Sequence, residues 1–444
     1  MVRLSGLGSW TDIVKSTWTN WAKNQSSYGI GFHSPIHESE LVAIVNYSRA
    51  AHQHVKVVGH GHSFTDIAVT DGQIVSLDKY DRVLNIDIVK CEITVQAGIQ
   101  LAVLNEELDK AGFAMPNLGD IAYQSLAGSL STSTHGTGAL LPGLAAQVVG
   151  MRLITADGSI VNCSEMENPE IFHVSRVGLG ALGIVSTLTL RVVSAFCLHA
   201  VEEPMRLDHV LEHLDEYVDG NDHFEFYWVP HTGWALTKRN NRTELPLDRP
   251  RRISKWWNKT VMENYAFGMV CWLGRIIPIL IPKLAKALPS TGRTESVNKS
   301  YKIFTSKRIV KFYEMEYAIP RPHLKEALNR LCAMVDSKGF KLNFPVEVRF
   351  AAGDDIPLST ASGRASAYIA VHIFKGMTYE PYFHEVEAIM NDYDGRPHWG
   401  KLHFQTLNTL SPRYPEYQRF IDVRNRLDPE GVFTNDYLCR VLGR

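Results

Sequence analysis

Two glycine-rich segments in the first half of the chain constrain its fold more than any other feature. Val55–Val58 is predicted to form a buried strand, and it runs directly into Gly59-His-Gly-His-Ser-Phe64. The second segment, 125–138, is built from small and hydroxyl-bearing residues. Glycine lets the backbone approach a ligand closely, and bare N–H groups beside hydroxyls suit a pyrophosphate. Two such segments in one region predict a bound dinucleotide.

A third glycine-rich segment excludes one common dinucleotide fold. Gly178-Leu-Gly-Ala-Leu-Gly183 matches the G-x-G-x-x-G pattern. In a nicotinamide-binding unit that pattern follows a strand and opens a helix. Here it follows a helical stretch that starts at Asn168-Pro169, with the asparagine as its N-cap, and it leads into a strand over 185–193. The pattern therefore indicates a helix end and a tight turn, or a cradle for another phosphate.

The length and the net charge of the chain are those of an ordinary globular protein. The chain has 444 residues, which predicts two or three domains, and its formal charge of −1 gives no electrostatic case for nucleic acid. Its six cysteines form no C-x-x-C pair, which argues against zinc ribbons and iron–sulfur runs. The N-terminal residues show no apolar leader, so we expect a cytoplasmic protein.

Changes in the helix and strand pattern along the sequence predict its domain organisation. A helix is expected over 38–51, and a hairpin with an Asp-Gly turn over 148–163. Near residue 196 helices become longer and alternate with strands. After residue 413 a helix over 415–427 stops at Asp428-Pro429. We therefore expect domains over 1–195 and 196–412, and a C-terminal segment over 413–444.

Two features allow other interpretations. His60-x-His62 could hold a metal, but no third ligand is apparent nearby, so we expect no metal site. The apolar segment 265–282 contains Arg275, Pro278 and Pro282, which argues against a membrane-spanning helix. A helix pair packed on or in the protein is favoured there, and peripheral membrane contact is the alternative.

The motifs together resemble a known family. Val57–Phe64, the segments around Asp66 and Thr70, and Val95-Gln-Ala-Gly98 look like the vanillyl-alcohol-oxidase-type flavoproteins. The resemblance is narrower to the sugar-1,4-lactone oxidases of bacterial type, and it covers nearly the whole chain. Its further matches are Ser125–Gly138, Gly178–Val185, Phe312–Pro320, Glu347-Val-Arg349, His398-Trp-Gly-Lys401 and the segment from Asp428-Pro to Asn435-Asp-Tyr437.

The resemblance implies an α+β fold. It consists of an FAD-binding domain of two subdomains, and a cap domain whose antiparallel sheet is flanked by helices. The cofactor is FAD, and in many members the histidine of the G-x-G-H-S motif, here His62, is bonded to the flavin. The cofactor-binding residues that it implies are His62, Gly59, His60, Gly61, Ser63, Phe64, Gly119, Ser125, Gly128, Ser129, Ser131, Thr132, His135, Gly136, Gly183, Ile184, Val185, Lys401 and Asn435.

The cap motifs have the side chains for alcohol oxidation. Strand alternation puts Glu347 and Arg349 on one face of a strand, which by itself could be a plain ion pair. His372 is predicted on a second strand, and Lys401 on a third together with Trp399 and His403. The resemblance brings these strands around one substrate. Glu347 and Arg349 would bind its hydroxyl groups and lactone oxygen. His372 would bind the substrate hydroxyl or assist proton transfer, and Lys401 would stabilise negative charge on flavin or on an oxyanion.

The resulting hypothesis is an FAD-linked oxidase of D-arabinono- or L-gulono-1,4-lactone. It would oxidise the C2 hydroxyl and reduce O₂ to H₂O₂. In the family a small residue at the position of Gly119 opens the flavin to oxygen. The alternatives are a lactone dehydrogenase with a quinone or cytochrome acceptor, an alditol oxidase, which Asp120 disfavours, a flavin-loaded binding protein, and a metal hydrolase. The expected partners are a sugar lactone and an electron acceptor.

Overall fold

The computed structural model describes residues 17–248, 267–287, 292–306 and 310–444. The described residues form five sheets with helices packed on them. The N-terminal residues 1–16, and residues 265 and 266 of the apolar segment, lie outside the described residues. The α+β fold class predicted from the resemblance is confirmed.

The first half of the chain forms small sheets around one apolar core. Three short strands pair in parallel in the order β3-β5-β4, and five pair antiparallel in the order β10-β9-β11-β7-β6. Two further two-stranded sheets flank them, β1-β2 and β8-β12. The strands are β1 (Thr17–Thr19), β2 (Ser26–Tyr28), β3 (Gly31–His33), β4 (Val55–Val58), β5 (Gln73–Ser76), β6 (Val83–Asp87), β7 (Glu92–Gln96), β8 (Phe113–Ala114), β9 (Val148–Ile154), β10 (Ile160–Ser164), β11 (Ile184–Arg191) and β12 (Val193–Ser194).

An antiparallel sheet of eight strands fills most of the second half. Its order is β16-β13-β15-β14-β18-β19-β17-β20, so strands distant in sequence become neighbours. Its apolar face packs against helices, while the opposite face carries charged side chains. The strands are β13 (Cys197–Arg206), β14 (His223–Trp228), β15 (Trp234–Thr243), β16 (Thr294–Lys299), β17 (Phe312–Pro320), β18 (Val346–Ala351), β19 (Ser366–Phe374) and β20 (Arg396–Pro397).

The helices pack on these sheets through apolar stripes. On α10, Leu324, Leu328 and Leu331 are fully buried against the eight-stranded sheet. The helices are α1 (Glu38–Ala50), α2 (Leu101–Lys110), α3 (Leu126–Ser131), α4 (Pro169–Ser175), α5 (Leu207–Glu212), α6 (Leu214–Asp219), α7 (Phe267–Ile276), α8 (Ile281–Ala287), α9 (Ser300–Phe304), α10 (Leu324–Lys338), α11 (Glu380–Asn391), α12 (Leu407–Leu410), α13 (Tyr417–Leu427) and α14 (Asp436–Leu442).

The C-terminal segment packs into the first half of the chain. Tyr414, Phe420 and Tyr437 belong to the same apolar cluster as residues 41–192. Ile356 and Trp399, from the range assigned to the cap, also belong to that cluster. The boundaries at 195 and 412 stay a prediction.

One local prediction is confirmed in part, and another is wrong. Helix α4 starts as predicted, with Asn168 at the N-cap position and Pro169 in its first turn. The Asn168 side chain, however, does not cap the helix and donates instead to the Asn162 carbonyl at 2.8 Å. Its φ of 49° turns it away from the extended geometry that a cap requires. The segment around Lys401 is not a strand, because the backbone turns there and the Lys401 N–H donates to the His398 carbonyl at 2.9 Å. Trp399 and His403 therefore lie in the C-terminal core, while Lys401 faces β17.

Candidate active site

A groove opens where β4 ends. Gly59 lies so close to the segment before α3 that a Cβ there would overlap the Ser125 hydroxyl. Gly61 has a φ of 69°, in the left-handed region that favours glycine. The backbone of 59–63 and the hydroxyl-rich segment 125–132 thus form two facing walls of the groove.

Most of the predicted cofactor-binding residues line this groove, and seven do not. The lining residues are Gly59, His60, Gly61, His62, Ser63, Ser125, Gly128, Ser129, Ser131, Thr132, Gly183 and Val185. The residues outside the lining are Phe64, Gly119, His135, Gly136, Ile184, Lys401 and Asn435.

Asn435 supports the groove from behind. Its amide nitrogen donates to the carbonyl oxygens of Asp66, Ile67 and Val69 at 2.9–3.1 Å, and its Oδ1 accepts from the Leu438 N–H. It therefore fixes the turn that follows the glycine-rich segment. Packing also accounts for the glycine at position 136, because a Cβ there would overlap the Asn117 side chain.

The groove holds buried polar atoms that lack partners among the described residues. The Nδ1 of His60 and the Oγ of Ser175 are both buried and without a hydrogen-bond partner. Leaving such atoms unsatisfied costs about 1–3 kcal/mol each. Backbone N–H groups, hydroxyls and these orphaned atoms fit the phosphates and hydroxyls of FAD, so the residues present suit that cofactor.

His62 lies at the end of the groove nearest the eight-stranded sheet. Its ring stacks on Trp21 with centroids 5.8 Å apart. Burial, then the charge of Lys401, and then His60 lower its pKa to about 4. Its imidazole is therefore neutral at pH 7 and has a free lone pair, the form that can act as a nucleophile.

The charged face of the eight-stranded sheet is the second part of the candidate site, and we call it the charged wall. Strand pairing aligns Tyr227 with Glu347, Glu347 with Ala370, and Ala370 with Glu316 in one row across four strands. In the neighbouring row Glu314 pairs with His372. As strand alternation predicts, Val346, Val348 and Phe350 face the opposite, apolar side.

One end of this wall is a buried charge network on β14 and β18. Arg349 donates from Nε to Glu225 at 2.9 Å and from its terminal nitrogen to Glu347. The Tyr227 hydroxyl lies 3.0 Å from Glu225 and 2.9 Å from Glu347. Burial raises the pKa of Glu347, while Arg349 opposes that effect. Carboxylates and a phenol held in this way can bind the hydroxyl groups of a polyol-like molecule.

The other end is centred on Glu314 of β17. Lys401 forms an ion pair with its Oε2, and His372 Nε2 lies 3.5 Å from its Oε1. Burial by itself would raise the pKa of Glu314, but Lys401 and His372 hold it down at about 2. The Nδ1 of His372 lies 3.2 Å from the Pro345 carbonyl, which fixes the ring and leaves Nε2 towards the wall.

A third buried pair lies beside it. His135 Nε2 is 3.2 Å from Glu316, and the His135 ring stacks on Tyr368 with centroids 3.5 Å apart. The charges of His135 and His398 hold the pKa of Glu316 well below its usual range. Burial lowers the pKa of His398 to about 4.

Lys401 lies between the charged wall and the groove. Its Nζ lies 5.2 Å from the ring centre of Phe64, next to His62 and Ser63 of the groove. The Phe64 N–H donates to the Gly400 carbonyl at 2.7 Å. The structure thus brings Glu347, Arg349, His372 and Lys401 onto one surface that adjoins the His62 end of the groove.

The sequence reasoning missed much of this wall. It gave no role to Glu225, Tyr227, Glu314 or Glu316. The alternation Glu314-Met-Glu316 in an apolar strand was a usable signal, because buried acidic residues need partners. Glu225-Phe-Tyr227 shows the same alternation.

Comparison with known proteins identifies the family. A model described as D-arabinono-1,4-lactone oxidase matches residues 188–441, and one described as FAD binding domain matches residues 31–164. The chain belongs to the D-arabinono-1,4-lactone oxidase family. It is thus an FAD-dependent oxidoreductase, and the family predicted from the motifs is confirmed.

Similar proteins cover nearly the full length of this family member. L-gulono-1,4-lactone dehydrogenase of Mycobacterium tuberculosis is 43% identical over 96% of this chain and 99% of its own length. L-gulonolactone oxidase of Bos taurus is 37% identical over 95% and 97%. Among solved structures, a solvent-stable cholesterol oxidase superposes with a TM-score of 0.77 and 17% identity over 96% and 97% of the two chains. Cholesterol oxidase of Brevibacterium sterolicum has a TM-score of 0.75 and 16% identity over 96% of each chain. These two likenesses show the fold.

Proposed function

We propose that the protein oxidises the C2 hydroxyl of an aldono-1,4-lactone of the D-arabinono or L-gulono type. The observation that carries the proposal is the buried wall of Glu347, Arg349, His372 and Lys401 beside the His62 end of the groove. The relatives' names supply the lactone class. A binding protein would gain nothing from so many buried charges, since each costs desolvation free energy.

FAD, when bound in the groove, supplies the hydride acceptor and passes the electrons on. The glycine-rich segment 59–63 and the hydroxyls of 125–132 would hold it. We propose His62 as the point of covalent attachment, because its imidazole is neutral and its lone pair is available. Lys401 would stabilise the negative charge that the reduced cofactor carries.

Different residues of the wall would act on different parts of the lactone. Glu347, Arg349 and Tyr227 would bind its hydroxyl groups and ring oxygen, and Ala370 between Glu347 and Glu316 leaves room for the ring. The buried pair of His372 and Glu314 would take up the proton of the C2 hydroxyl as hydride leaves C2. Glu314 would also hold His372 and Lys401 in place, because it contacts both.

Oxygen is the electron acceptor in this proposal, with H₂O₂ as its product. The resemblance supports it, because a small residue at the position of Gly119 opens the flavin to oxygen in the family, although Gly119 lies outside the lining of the groove. A second candidate is a lactone dehydrogenase with another acceptor. The 43% identical relative of that name favours it.

Two experiments test the proposal. The first compares anaerobic flavin reduction by ordinary and C2-deuterated L-gulono-1,4-lactone. Slower reduction with deuterium supports attack at C2, and equal rates contradict it. Admitting air to the reduced enzyme then separates the acceptors: rapid reoxidation with stoichiometric peroxide supports an oxidase, and slow reoxidation that ferricytochrome c accelerates supports a dehydrogenase.

The second experiment tests the attachment. Protein denatured in acid is separated on an SDS gel, and flavin fluorescence is sought in the protein band. Fluorescence is expected in the wild type and in His60→Ala, the matched control, and its loss is expected in His62→Ala. Fluorescence retained in His62→Ala would contradict attachment through His62.

A further inference from the structure

Three lysines meet at one end of the eight-stranded sheet. Lys311 and Lys375 lie opposite each other just beyond the paired ends of β17 and β19, where the N–H of Lys375 donates to the Lys311 carbonyl at 3.1 Å. The Nζ of Lys375 donates to the carbonyl of Ala22 at 2.6 Å, beside Lys23. Burial, and then the charges of Lys311 and Lys23, lower the pKa of Lys375. Like charges directly opposite each other in a sheet are destabilising, so the arrangement costs stability.

Helix α7 adds a fourth cation. Its Arg275 lies against Gly376, where an added Cβ would overlap the guanidinium, and its Nη1 lies 3.5 Å from the Lys375 carbonyl. None of the helices in the described ranges, α7 included, has the length and the apolar composition that crossing a membrane requires. We call Lys23, Lys311, Lys375 and Arg275 the cationic cluster.

The charge of the cationic cluster is not neutralised within the part of the chain that the structure describes. Among the described residues, no carboxylate forms an ion pair with any of its four members. The charges that act on Lys311 and Lys375 are those of other lysines. Lys23 and Arg275 are exposed, and Lys311 and Lys375 are half-buried. The cluster is therefore an open positive surface, and not an enclosed pocket for a small anion.

The cationic cluster adjoins the His62 end of the groove. The Nζ of Lys311 lies 5.9 Å from the ring centre of Trp21. Trp21 is partly exposed, and its ring stacks on that of His62 with centroids 5.8 Å apart. Its backbone N–H donates to the Gly61 carbonyl at 2.7 Å, which fixes it over the glycine-rich segment. One aromatic ring therefore separates the cluster from the residue proposed to carry the cofactor.

This arrangement suits the export of electrons. Electron transfer, unlike hydride transfer, does not require the acceptor to touch the cofactor, so an acceptor held at the surface beside Trp21 can be reduced. Electron-transfer proteins form small and transient complexes. Opposite charge on two surfaces speeds their encounter by about tenfold to a thousandfold. Oxygen is neutral and gains nothing from such a surface.

We propose that the cationic cluster docks an acidic electron-transfer protein, which receives electrons from the cofactor by way of Trp21. Such docking rests on the proposed function and belongs to its second candidate, an acceptor other than oxygen. Oxidation of the lactone breaks the C2–H and O–H bonds, makes the second C2–O bond, and releases two electrons and two protons. Two acceptor molecules each take one electron, and the protons pass to water.

Reoxidation of the FAD-loaded enzyme tests the docking. The enzyme is reduced without oxygen by one equivalent of dithionite, so that no lactone is needed. It is then mixed in a stopped-flow instrument with oxidised plastocyanin of the acidic plant type, or with ferricytochrome c, which is basic. We expect plastocyanin to be reduced at least about tenfold faster at low ionic strength, and salt to lessen the difference. Equal rates, a faster reaction with ferricytochrome c, or no reaction with either protein overturns the proposal.

Small oxidants separate a protein dock from a merely positive surface. Ferricyanide is an anion and hexaammineruthenium(III) is a cation, and each takes a single electron. Added salt should slow the reaction with ferricyanide and accelerate the reaction with hexaammineruthenium(III). This response without a preference between the two proteins would reduce the cationic cluster to a site for small anions and overturn protein docking.

Two variants and a control locate the surface. Lys23→Glu/Arg275→Glu reverses the two exposed charges, and it should raise the plastocyanin concentration that gives half the limiting rate at least about tenfold. Trp21→Leu removes the ring and should lower the limiting rate itself. The control, Lys90→Glu/Arg191→Glu, makes the same change of net charge at exposed residues near the five-stranded sheet, and it should behave like the wild type.

Other outcomes overturn the proposal. Equal losses in the control and in Lys23→Glu/Arg275→Glu would show an effect of net charge alone. An unchanged limiting rate in Trp21→Leu would place the electron route elsewhere. Flavin content checks that the variants fold, and reoxidation by oxygen should be unchanged in the two charge-reversal variants. Because dithionite reduces the enzyme, failure of docking and failure of lactone oxidation are distinguishable.

Discussion

The groove and the charged wall are built from opposite kinds of residue. The groove is made of backbone and small side chains from two continuous segments, 59–63 and 125–132. The wall is made of long charged side chains from four strands and one turn, which sequence separates by up to about 180 residues. A Cβ added at Gly59 would overlap the Ser125 hydroxyl across the groove, whereas a charge removed from the wall would leave a buried ion with fewer partners.

The difference follows from what each region excludes. Glycine-built walls bring N–H groups to a ligand at little desolvation cost, because backbone dipoles carry no net charge. In the wall, burial alone would raise the pKa of Glu314 and Glu347, and only Lys401, Arg349 and their neighbours oppose this effect. Variants can change either the glycine-built groove or the buried charges of the wall.

The largest effect is expected from breaking the network at Arg349. Arg349→Met leaves the buried carboxylate of Glu347 without its cation, while Glu225 keeps Lys238 at 3.5 Å. The loss should cost about 3–5 kcal/mol of unfolding free energy. Chemical denaturation measures it.

Arg426→Met, which removes a half-exposed pair with Glu170, is the control and should cost less than about 1 kcal/mol. Equal losses in the two variants would contradict a wall held by buried charge.

Lys401 should matter most for turnover. Lys401→Met removes the cation between the two regions, and kcat should fall about a hundredfold to a thousandfold, as when one electrostatic stabiliser is lost. Lys401→Arg keeps the charge and should recover part of the rate. Lys338→Met, which breaks a surface pair with Glu385, controls for loss of a lysine. A rate within a few-fold of wild type in Lys401→Met would remove Lys401 from the mechanism.

Acid should destabilise both regions through buried histidines. His62 and His398 have pKa values of about 4 when folded and about 6.5 when unfolded, so the unfolded chain binds more protons between these values. Stability is therefore retained above about pH 6.5 and lost as pH falls towards 4. At pH 5 each histidine should cost about 2 kcal/mol in flavin-free protein.

The histidine variants should flatten this pH profile. Unfolding midpoints of the wild type, His62→Ala and His398→Gln are compared between pH 7 and 5. Each variant should lose less stability than the wild type over that range. Parallel profiles for all three would show that these histidines are not held neutral by the fold.

The smallest effect is expected in the groove. Gly59→Ala places a methyl group against the Ser125 hydroxyl and should weaken FAD binding about tenfold, equal to about 1.4 kcal/mol. Ser125→Gly in the same chain should restore binding. Gly143→Ala, where a Cβ meets only ordinary contacts, is the matched control. FAD titration of apoprotein measures all three, and unchanged affinity in Gly59→Ala would contradict a groove shaped by that approach.

The same difference explains what the sequence could predict. Segment 59–63 is continuous, so its strand, its turn and most of its lining residues followed from local patterns. The wall depends on register: Glu314 meets His372, and Tyr227 meets Glu347, only because β17 and β14 pair with β19 and β18. No local pattern specifies those pairings. Glu314 and Tyr227 therefore received no role.

Lys401 shows a second limit. Alternating residue types predicted a strand that would carry Trp399, Lys401 and His403 on one face. The backbone instead turns there, because the N–H groups of His398 and Leu402 donate to the carbonyls of Glu316 and Glu314 on β17. The motif singled out Lys401, while its position beside Phe64 depends on contacts distant in sequence.

The most direct test of the account asks whether a lactone bound at the wall reduces the flavin held in the groove. The FAD-loaded wild type is titrated without oxygen with D-arabinono- and L-gulono-1,4-lactone, and with the matched open-chain aldonates. We predict that a lactone bleaches the visible absorbance of the oxidised flavin and that the aldonates do not. Flavin that stays oxidised with every aldono-1,4-lactone would contradict the account.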